Sequence, residues 1–207
     1  MTKPRLKLVP PATVKRTVIA IRRPNSELRP REHLTEREVE KLIDSAKGNR
    51  HGQRDATMIL ICFRHGLRAS ELCELQWSDV EFETATLHLR RAKGGQIGTH
   101  PLLGDELRAL RVLKRDAALA ISPFVFVTER GSPFSVSGLQ KLVERAGIEA
   151  GMPFKIHPHM LRHATGYALA NKGVDTRTLQ GYLGHRSIQS TVRYTELAPG
   201  RFKNIWR

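Results

Sequence analysis

Residues that start and stop helices divide the last third of the sequence into three short segments, and this punctuation constrains the fold more than any other feature. Pro158 favours the start of a helix that Gly173 closes, the next helix ends at Gly184, and a final short helix carries Tyr194. Side chains that can cap the two later helices stand at their starts: Asp175 or Thr176, and Ser187. Helices this short are stable only when they pack on a shared core, so the pattern predicts a mainly helical globular domain.

Upstream of these segments, helical patterns surround one short β-region. Thr35 and Glu38 form a capping box before apolar residues at helical spacing, and Gly48 ends that helix. We predict further helices over residues 54–64, 69–76, 105–120 and 136–150. Alternating residues predict strands over 80–83, 86–90 and 97–102, and Gly94-Gly95 supplies the turn between the last two. The sequence therefore predicts an α+β fold, mainly α-helical, with a small antiparallel β-sheet of about three strands.

The chain carries a large excess of positive charge, +15 from 35 Lys and Arg against 20 Asp and Glu. An excess of this size favours a polyanionic partner, because cations that neutralise phosphates release condensed counterions. Residues 1–31 contain nine basic residues, five prolines and one acid, Glu27, so they cannot bury enough apolar surface to fold alone. We expect an extended basic arm there, lying along nucleic acid or simply solvated, before a domain over 32–198 and an apolar tail over 199–207.

The sequence also argues against several classes of protein. Its start has no apolar stretch long enough for a signal peptide, and the longest strongly apolar run, residues 58–63, is too short to cross a bilayer. Cys62 and Cys73 sit among apolar neighbours, so we expect reduced core residues rather than a disulfide framework or a four-ligand zinc site. These features favour a cytoplasmic protein, associated with the nucleoid if the polyanion is DNA.

Three motifs carry groups suited to phosphate chemistry. The first is HPHMLRH, residues 157–163, in which His159 and Arg162 share one face at a helix start. The planar fork of an arginine suits two phosphate oxygens, and a histidine of near-neutral pKa can exchange a proton. A surface pair on a basic protein is the plainer explanation. His159 and His163 also have the four-residue spacing of helical zinc ligands, but no HExxH glutamate and no nearby thiol or carboxylate accompanies them.

The other two motifs centre on a helix end and on a tight turn. In YLGHRSIQSTVRYT, residues 182–195, Gly184 ends a helix before His185, and Tyr194 follows nine residues later. In FRHGLRASEL, residues 63–72, Arg68 follows the turn at Gly66, and Glu71 lies three residues further on. If one side of the Arg68 guanidinium binds a phosphate, the Glu71 carboxylate is placed to bind the other side. Taken singly, these residues are equally explained as a helix cap, a half-buried tyrosine and an ordinary salt bridge.

In combination, these residues resemble the tyrosine recombinase family, also called the phage integrase family. That family's motifs are an Arg in a G-x-R-x-x-E-L setting, a Lys on a β-turn, H-x-x-R, L-G-H and a Tyr nine residues beyond. This sequence supplies them in that order over about residues 34–195: Gly66, Arg68, Glu71, Leu72, Lys93, His159, Arg162, Leu183, Gly184, His185 and Tyr194. The stretches IHPHMLRH, ALANKGVDTR, YLGHRSI and GRFKNIW further resemble small fimbrial phase-variation invertases, which flip a promoter-bearing DNA segment between inverted repeats.

The resemblance implies an active site that uses no metal and no cofactor. Arg68 and Arg162 would grip the nonbridging oxygens of one scissile phosphate, and His185 would donate a further hydrogen bond. Tyr194 would attack phosphorus, and His159 would assist the removal of its proton because a free phenol has a pKa of about 10.

Lys93, which the sequence places at the tip of a β-hairpin, would by the same resemblance protonate the departing 5′ oxygen. The product is a 3′-phosphotyrosyl ester that keeps the bond energy, so another 5′-hydroxyl can reverse the step. Strand exchange between two duplexes needs four active sites, which implies a homotetramer on double-stranded DNA. Larger members of the family also carry a separate N-terminal helical domain, for which the basic arm leaves no room. We therefore expect DNA-bending accessory proteins or cooperative assembly to supplement a weak affinity for DNA.

Two other functions remain compatible with the sequence. The first is a catalytically idle DNA-binding regulator with the same fold, although the complete set of motif residues argues against it. The second is a topoisomerase-like enzyme that relaxes DNA through the same phosphotyrosyl chemistry without exchanging partners. The sequence also leaves open whether Tyr194 acts in its own chain or in a neighbour's, and whether the 199–207 tail docks on its own domain or on a neighbour.

Overall fold

A computed structural model describes residues 31–91, 98–115 and 122–196. Within these ranges the chain forms eight α-helices, one 3-10 helix and three strands. The helices are α1 Glu36–Lys47, α2 Gly52–His65, α3 Ala69–Cys73, α4 Gly104–Arg115, α5 Val136–Glu149, α6 Pro158–Asn171, α7 Thr176–Leu183 and α8 Gln189–Glu196. The strands are β1 Val80–Glu81, β2 Thr86–Leu89 and β3 Gly98–Pro101, and Trp77–Asp79 is the 3-10 helix. The predicted arm before Arg31, Lys93 with its Gly94-Gly95 turn, and the 199–207 tail lie outside the described residues.

The helical half of the fold is built around α2. Ten of its fourteen residues are buried, which is the pattern of a helix surrounded by others, and it packs against α1, α4 and α6. The capping box predicted at the start of α1 is present, because the Thr35 amide donates to Glu38 Oε2 at 2.8 Å and the Glu38 amide donates to Thr35 Oγ1 at 3.3 Å. Cys62 and Cys73 are buried free thiols, as predicted.

The β-region is a three-stranded antiparallel sheet in the order β1-β2-β3, as predicted. Strand β2 buries Leu87 and Leu89 on one face and aligns His88 with Thr99 of β3. Helix α3 ends at Cys73 and not at Gln76, which corrects the predicted extent. The backbone of Gln76 instead pairs with Phe124, and its amide donates to Asp79 Oδ2 at 3.0 Å, so this stretch leaves the helix and begins the 3-10 turn.

Helices α6, α7 and α8 follow the punctuation predicted from sequence. Asp175 caps α7 by accepting from the amides of Arg177 and Thr178 at 2.9 and 3.0 Å. Helix α8 begins at Gln189, two residues beyond the predicted cap Ser187. The three helices enclose a small second core formed by Ala170, Leu179, Leu183 and Tyr194. No helix in the described part of the chain is long and apolar enough to cross a membrane.

Two left-handed turns bring distant parts of the chain together. Gly66 ends α2 with φ of 58°, and Gly184 ends α7 with φ of 62°, a conformation that glycine adopts without steric cost. The space around each turn is also filled. A Cβ on Gly66 would lie 2.5 Å from Leu183 Cδ2, and one on Gly184 would lie 2.7 Å from the Arg91 side chain. The ends of α2 and α7 are therefore packed against each other with no room for a larger residue.

Candidate active site

One buried carboxylate, Glu71, organises the first part of the site. It lies in α3, three residues after Arg68, and its Oε1 accepts from Arg68 Nη1 at 2.5 Å. Its Oε2 accepts from the Arg68 backbone amide at 2.9 Å. Glu71 is only 6% exposed, whereas the Arg68 side chain keeps 28% of its surface in solvent. The carboxylate thus holds the Arg68 guanidinium through Nη1, as the sequence predicted for this pair, while part of the Arg68 side chain remains in contact with solvent.

A second arginine that the motifs do not contain binds the same carboxylate. Arg91 lies two residues after the end of β2, its side chain has no exposed surface, and its Nη1 donates to Glu71 Oε2 at 3.0 Å. Its Nη2 donates to the carbonyl oxygens of His65, at 3.3 Å, and Tyr182. Burial lowers the pKa of Arg91, while Glu71 opposes that shift. Arg91 therefore ties the end of the sheet to α2, α3 and α7.

Arg162 is a further buried cation of the site. It is 1% exposed, and its guanidinium donates to the carbonyl oxygens of Gly66 and, at 2.7 Å, Leu183. Glu71 Oε2 lies 3.9 Å from Arg162 Nη1. Burial, followed by the charge of Arg68, lowers the pKa of Arg162 to about 10, so it stays charged at neutral pH. Because helix carbonyl ends carry partial negative charge, the two left-handed turns form a cradle for this cation.

His185 follows the Gly184 turn and faces the last helix. Its Nδ1 lies 2.8 Å from the hydroxyl of Thr191, a fully buried residue of α8 that sequence reasoning did not single out. Its ring lies parallel to the Tyr194 ring, at 6.3 Å between centroids and 17° between planes. Burial, and then the positive charges of Arg162 and Arg68, lower the pKa of His185 to about 4, which keeps the ring neutral at pH 7.

Tyr194 is buried in its own chain, at 1% exposure, and contacts a histidine that the sequence did not assign to it. His163 Nδ1 lies 2.8 Å from the phenolic oxygen. Tyr167 packs edge-to-face on the Tyr194 ring at 5.1 Å and 88°. A Cβ on Gly166 would lie 2.8 Å from three carbons of that ring, so α6 leaves just enough space for the tyrosine. Burial raises the pKa of Tyr194, and the charges of Arg193 and Arg162 oppose that shift.

His159 lies at the start of α6, exposed to solvent, with its ring edge-on to His163 at 4.4 Å between centroids. Loss of hydration on its covered side, and then the charge of Arg162, lower the pKa of His159 to about 4. The helical His159–His163 spacing is thus realised, but His163 is engaged with Tyr194. Across residues 31–91, 98–115 and 122–196, no group of three or more His, Cys, Asp or Glu side chains is placed to hold a metal ion.

Most of the predicted site residues come together. Arg68 and Arg162 share Glu71, and their charges act on both His159 and His185. His185 in turn faces Tyr194. Lys93 falls in the range 92–97, which is not described. Three arginine charges around one carboxylate leave the cluster positive, so the arrangement can bind a phosphodiester and stabilise further negative charge on it.

Residues 32–201 match the sequence profile of the phage integrase family. The chain belongs to the phage integrase family. This recombinase is 42% identical over 179 residues to the type 1 fimbriae regulatory protein FimB of Escherichia coli K12. The aligned region covers 85% of this chain and 90% of FimB. The predicted family is thus confirmed, and the relative agrees with the finer resemblance to fimbrial proteins.

Two solved structures resemble the recombinase. The crystal structure of XerA recombinase matches with a TM-score of 0.72 and 28% identity, over 89% of this chain and 68% of XerA. The site-specific recombinase XerH, bound to its palindromic difH substrate in a post-cleavage complex, matches with a TM-score of 0.72 and 26% identity, over 83% of this chain and 51% of XerH. The predicted fold and the assignment as a tyrosine-type recombinase are confirmed by these matches.

Proposed function

We propose that Tyr194 is the nucleophile with which this recombinase cleaves and rejoins double-stranded DNA, and that the reaction inverts a DNA segment. The observation that carries the proposal is the position of Tyr194, which lies against His163 and parallel to His185 within the field of Arg162. These groups belong to one chain, so we propose that the nucleophile acts in cis. The likeness to the fimbriae regulatory protein FimB supports the resemblance to fimbrial invertases, which implies inversion, and the likeness to the DNA-bound XerH supports DNA as the substrate.

Fixed cations supply the electrostatic part of the reaction. A phosphodiester repels an incoming nucleophile, and the transition state places further charge on the nonbridging oxygens. The Arg68 side chain is partly open to solvent and can bind one of these oxygens, while Glu71 keeps it oriented. His185, held by Thr191 through Nδ1, has its Nε2 left to donate to a phosphate oxygen. Because these groups are positioned before DNA binds, little reorganisation is needed in the transition state.

The leaving 5′ oxygen requires a proton, and we assign that donation to Lys93 on the basis of the family motif. A Lys93→Ala variant should then lose cleavage far more than binding, whereas equal losses would make Lys93 a phosphate contact only. The phosphotyrosyl ester retains the energy of the broken bond, so rejoining needs no external energy source. Exchange between two duplexes further implies a homotetramer on DNA, with accessory DNA-bending proteins aiding assembly.

The decisive experiment compares Tyr194→Phe with Tyr167→Phe. DNA that flanks the gene encoding this chain is incubated with the wild-type protein, and covalent complexes are recovered and sequenced to map the cleavage site. On a nicked suicide substrate bearing that site, Tyr194→Phe should bind DNA and form no adduct, because the phenylalanine ring keeps the packing and lacks the nucleophile. Tyr167→Phe, which alters a neighbouring tyrosine of α6, should still form the adduct. An adduct that survives in Tyr194→Phe would refute the assignment.

The reaction outcome is measured separately on supercoiled plasmids. A plasmid with two mapped sites in inverted orientation should show inversion of the intervening segment, and a plasmid without sites should remain supercoiled. Relaxation of the plasmid that lacks sites would favour a topoisomerase-like enzyme. Sequence-specific binding without cleavage on either plasmid would favour the catalytically idle regulator.

A further inference from the structure

We propose that His163, and not His159, accepts the proton of Tyr194 during cleavage and returns it during rejoining. The inference rests on the proposed function, since it presumes that Tyr194 is the nucleophile. Nδ1 of His163 lies 2.8 Å from the phenolic oxygen, within direct proton-transfer distance. The first contact of the nucleophile is therefore a histidine outside the H-x-x-R pair, one residue after Arg162.

The burial of the pair supports this role. His163 is 7% exposed and Tyr194 is 1% exposed, so water has little access to the phenol. His159 is solvent-exposed, and its ring contacts His163 edge-on. The nearest acceptor for the Tyr194 proton is therefore His163 and not solvent or His159.

Burial and the basic groups around His163 keep its ring neutral until DNA arrives. The basic groups His159, Arg193, Arg162 and His157 act on its ring electrostatically. Burial, and then these groups, lower the pKa of His163 to about 3, so one ring nitrogen retains its lone pair at neutral pH. A bound phosphodiester adds negative charge among the same cations, which raises the proton affinity of the imidazole when a base is needed.

The proton balance of the step is closed within the site. The phenolic oxygen forms the new bond to phosphorus while its O–H bond breaks, and the proton passes to Nδ1 of His163. The bonding pair of the scissile P–O5′ bond leaves on the 5′ oxygen, which takes a proton from the acid of the proposed function. In rejoining, an incoming 5′-hydroxyl gives its proton back to that acid as it bonds to phosphorus and displaces the tyrosine, and imidazolium His163 returns its proton to the departing phenolate. A buried carrier suits a reversible reaction because the proton does not exchange freely with solvent between the two steps.

The test measures the single-turnover rate of adduct formation on the mapped suicide substrate for His163→Gln and, as the matched control, His159→Gln. Glutamine still bonds to the phenol but cannot take up its proton. His163→Gln should bind DNA normally and cleave at least about 100-fold more slowly. Its rate should rise about tenfold per pH unit between pH 7 and 9, because deprotonation then depends on hydroxide, whereas the wild-type rate should change little. His159→Gln should keep the wild-type pH profile.

A second measurement separates proton transfer from structural support. Tyr194 is replaced by a fluorinated tyrosine, whose phenol is more acidic and ionises without a base. In that background His163→Gln should lose most of its defect relative to the protein that retains His163. An undiminished defect would show that His163 is only structural, and a wild-type rate and pH profile in His163→Gln would overturn the inference. Both results leave Tyr194 as the nucleophile, while an adduct in Tyr194→Phe would instead remove the proposed function itself.

Discussion

Because Gly166 lies close to Tyr194, the effect of Gly166→Ala on folding stability should depend on whether Tyr194 is present. A Cβ on Gly166 would lie 2.8 Å from Cε1, Cε2 and Cζ of the ring, whereas carbon atoms in contact prefer about 3.5–4.0 Å. The ring must therefore retreat by roughly 0.7 Å or more if alanine is introduced. Because the ring is buried against Tyr167 and His163, that retreat costs about 1–3 kcal/mol of folding free energy, the usual cost of overpacking.

An opposing gain comes from helix propensity. Gly166 lies inside α6, where alanine is favoured over glycine by about 1 kcal/mol. Gly166→Ala should therefore leave stability unchanged or lower it by up to about 2 kcal/mol, the difference between the two effects. In a Tyr194→Ala background the clash is absent, and the same substitution should stabilise the fold by about 1 kcal/mol. The coupling free energy between the two positions is then about 1–3 kcal/mol.

Urea unfolding followed by circular dichroism measures all four proteins of this cycle. Gly181→Ala in α7 is the matched control, because a Cβ there has nothing within 4 Å, and it should stabilise the fold slightly in both backgrounds. Gly166→Ala should also slow adduct formation, since moving the phenol by a fraction of an ångström disturbs its attack geometry. An equal free-energy change for Gly166→Ala in both backgrounds would refute the placement of Tyr194 against α6.

Two further predictions concern buried charge. The pKa values of His100 and His163 are lowered to about 3, chiefly by burial, so below pH 6.5 the unfolded chain takes up protons that the folded chain does not. Stability should therefore be complete above pH 6.5 and fall between pH 6.5 and about 3, and a urea midpoint that is the same at pH 7 and pH 5 would contradict this. Arg91→Met should destabilise the fold by about 3–5 kcal/mol, because it removes a buried guanidinium that donates to the Glu71 carboxylate and to the carbonyls of His65 and Tyr182. Arg90→Met removes a 69% exposed arginine and should cost less than about 1 kcal/mol in the same urea assay, and equal effects of the two would refute the bridging role of Arg91.

The sequence predicts features that depend on local geometry. The Thr35–Glu38 capping box and the Arg68–Glu71 pair each join residues three apart, a spacing at which side chains meet on a helix or at its start. The left-handed end of α7 is likewise carried by a single residue, Gly184. Such features need no knowledge of the tertiary fold, which is why they were predictable.

Features that arise from packing between distant elements were not predictable. The contact of His163 with Tyr194 joins residues 31 apart in sequence, and the only local sign of it was the His159–His163 spacing, which also suits metal ligands. Nothing in the sequence indicated that Arg91 is buried against Glu71, since an arginine near a strand end is usually exposed. The early end of α3 likewise results from a pairing between Gln76 and Phe124, which lie far apart in sequence.

The cradle around Arg162 forms only when the domain is completely folded. The Arg162 guanidinium is held by the carbonyl of Gly66 at the end of α2 and by the carbonyl of Leu183 at the end of α7. These two segments are separated in sequence by more than half of the domain. A chain whose last helices have not yet docked holds Arg162 without one of these carbonyls and Tyr194 without its pocket. The proposed nucleophile and this arginine thus become aligned only in the finished structure, so we expect an incompletely folded molecule not to nick DNA.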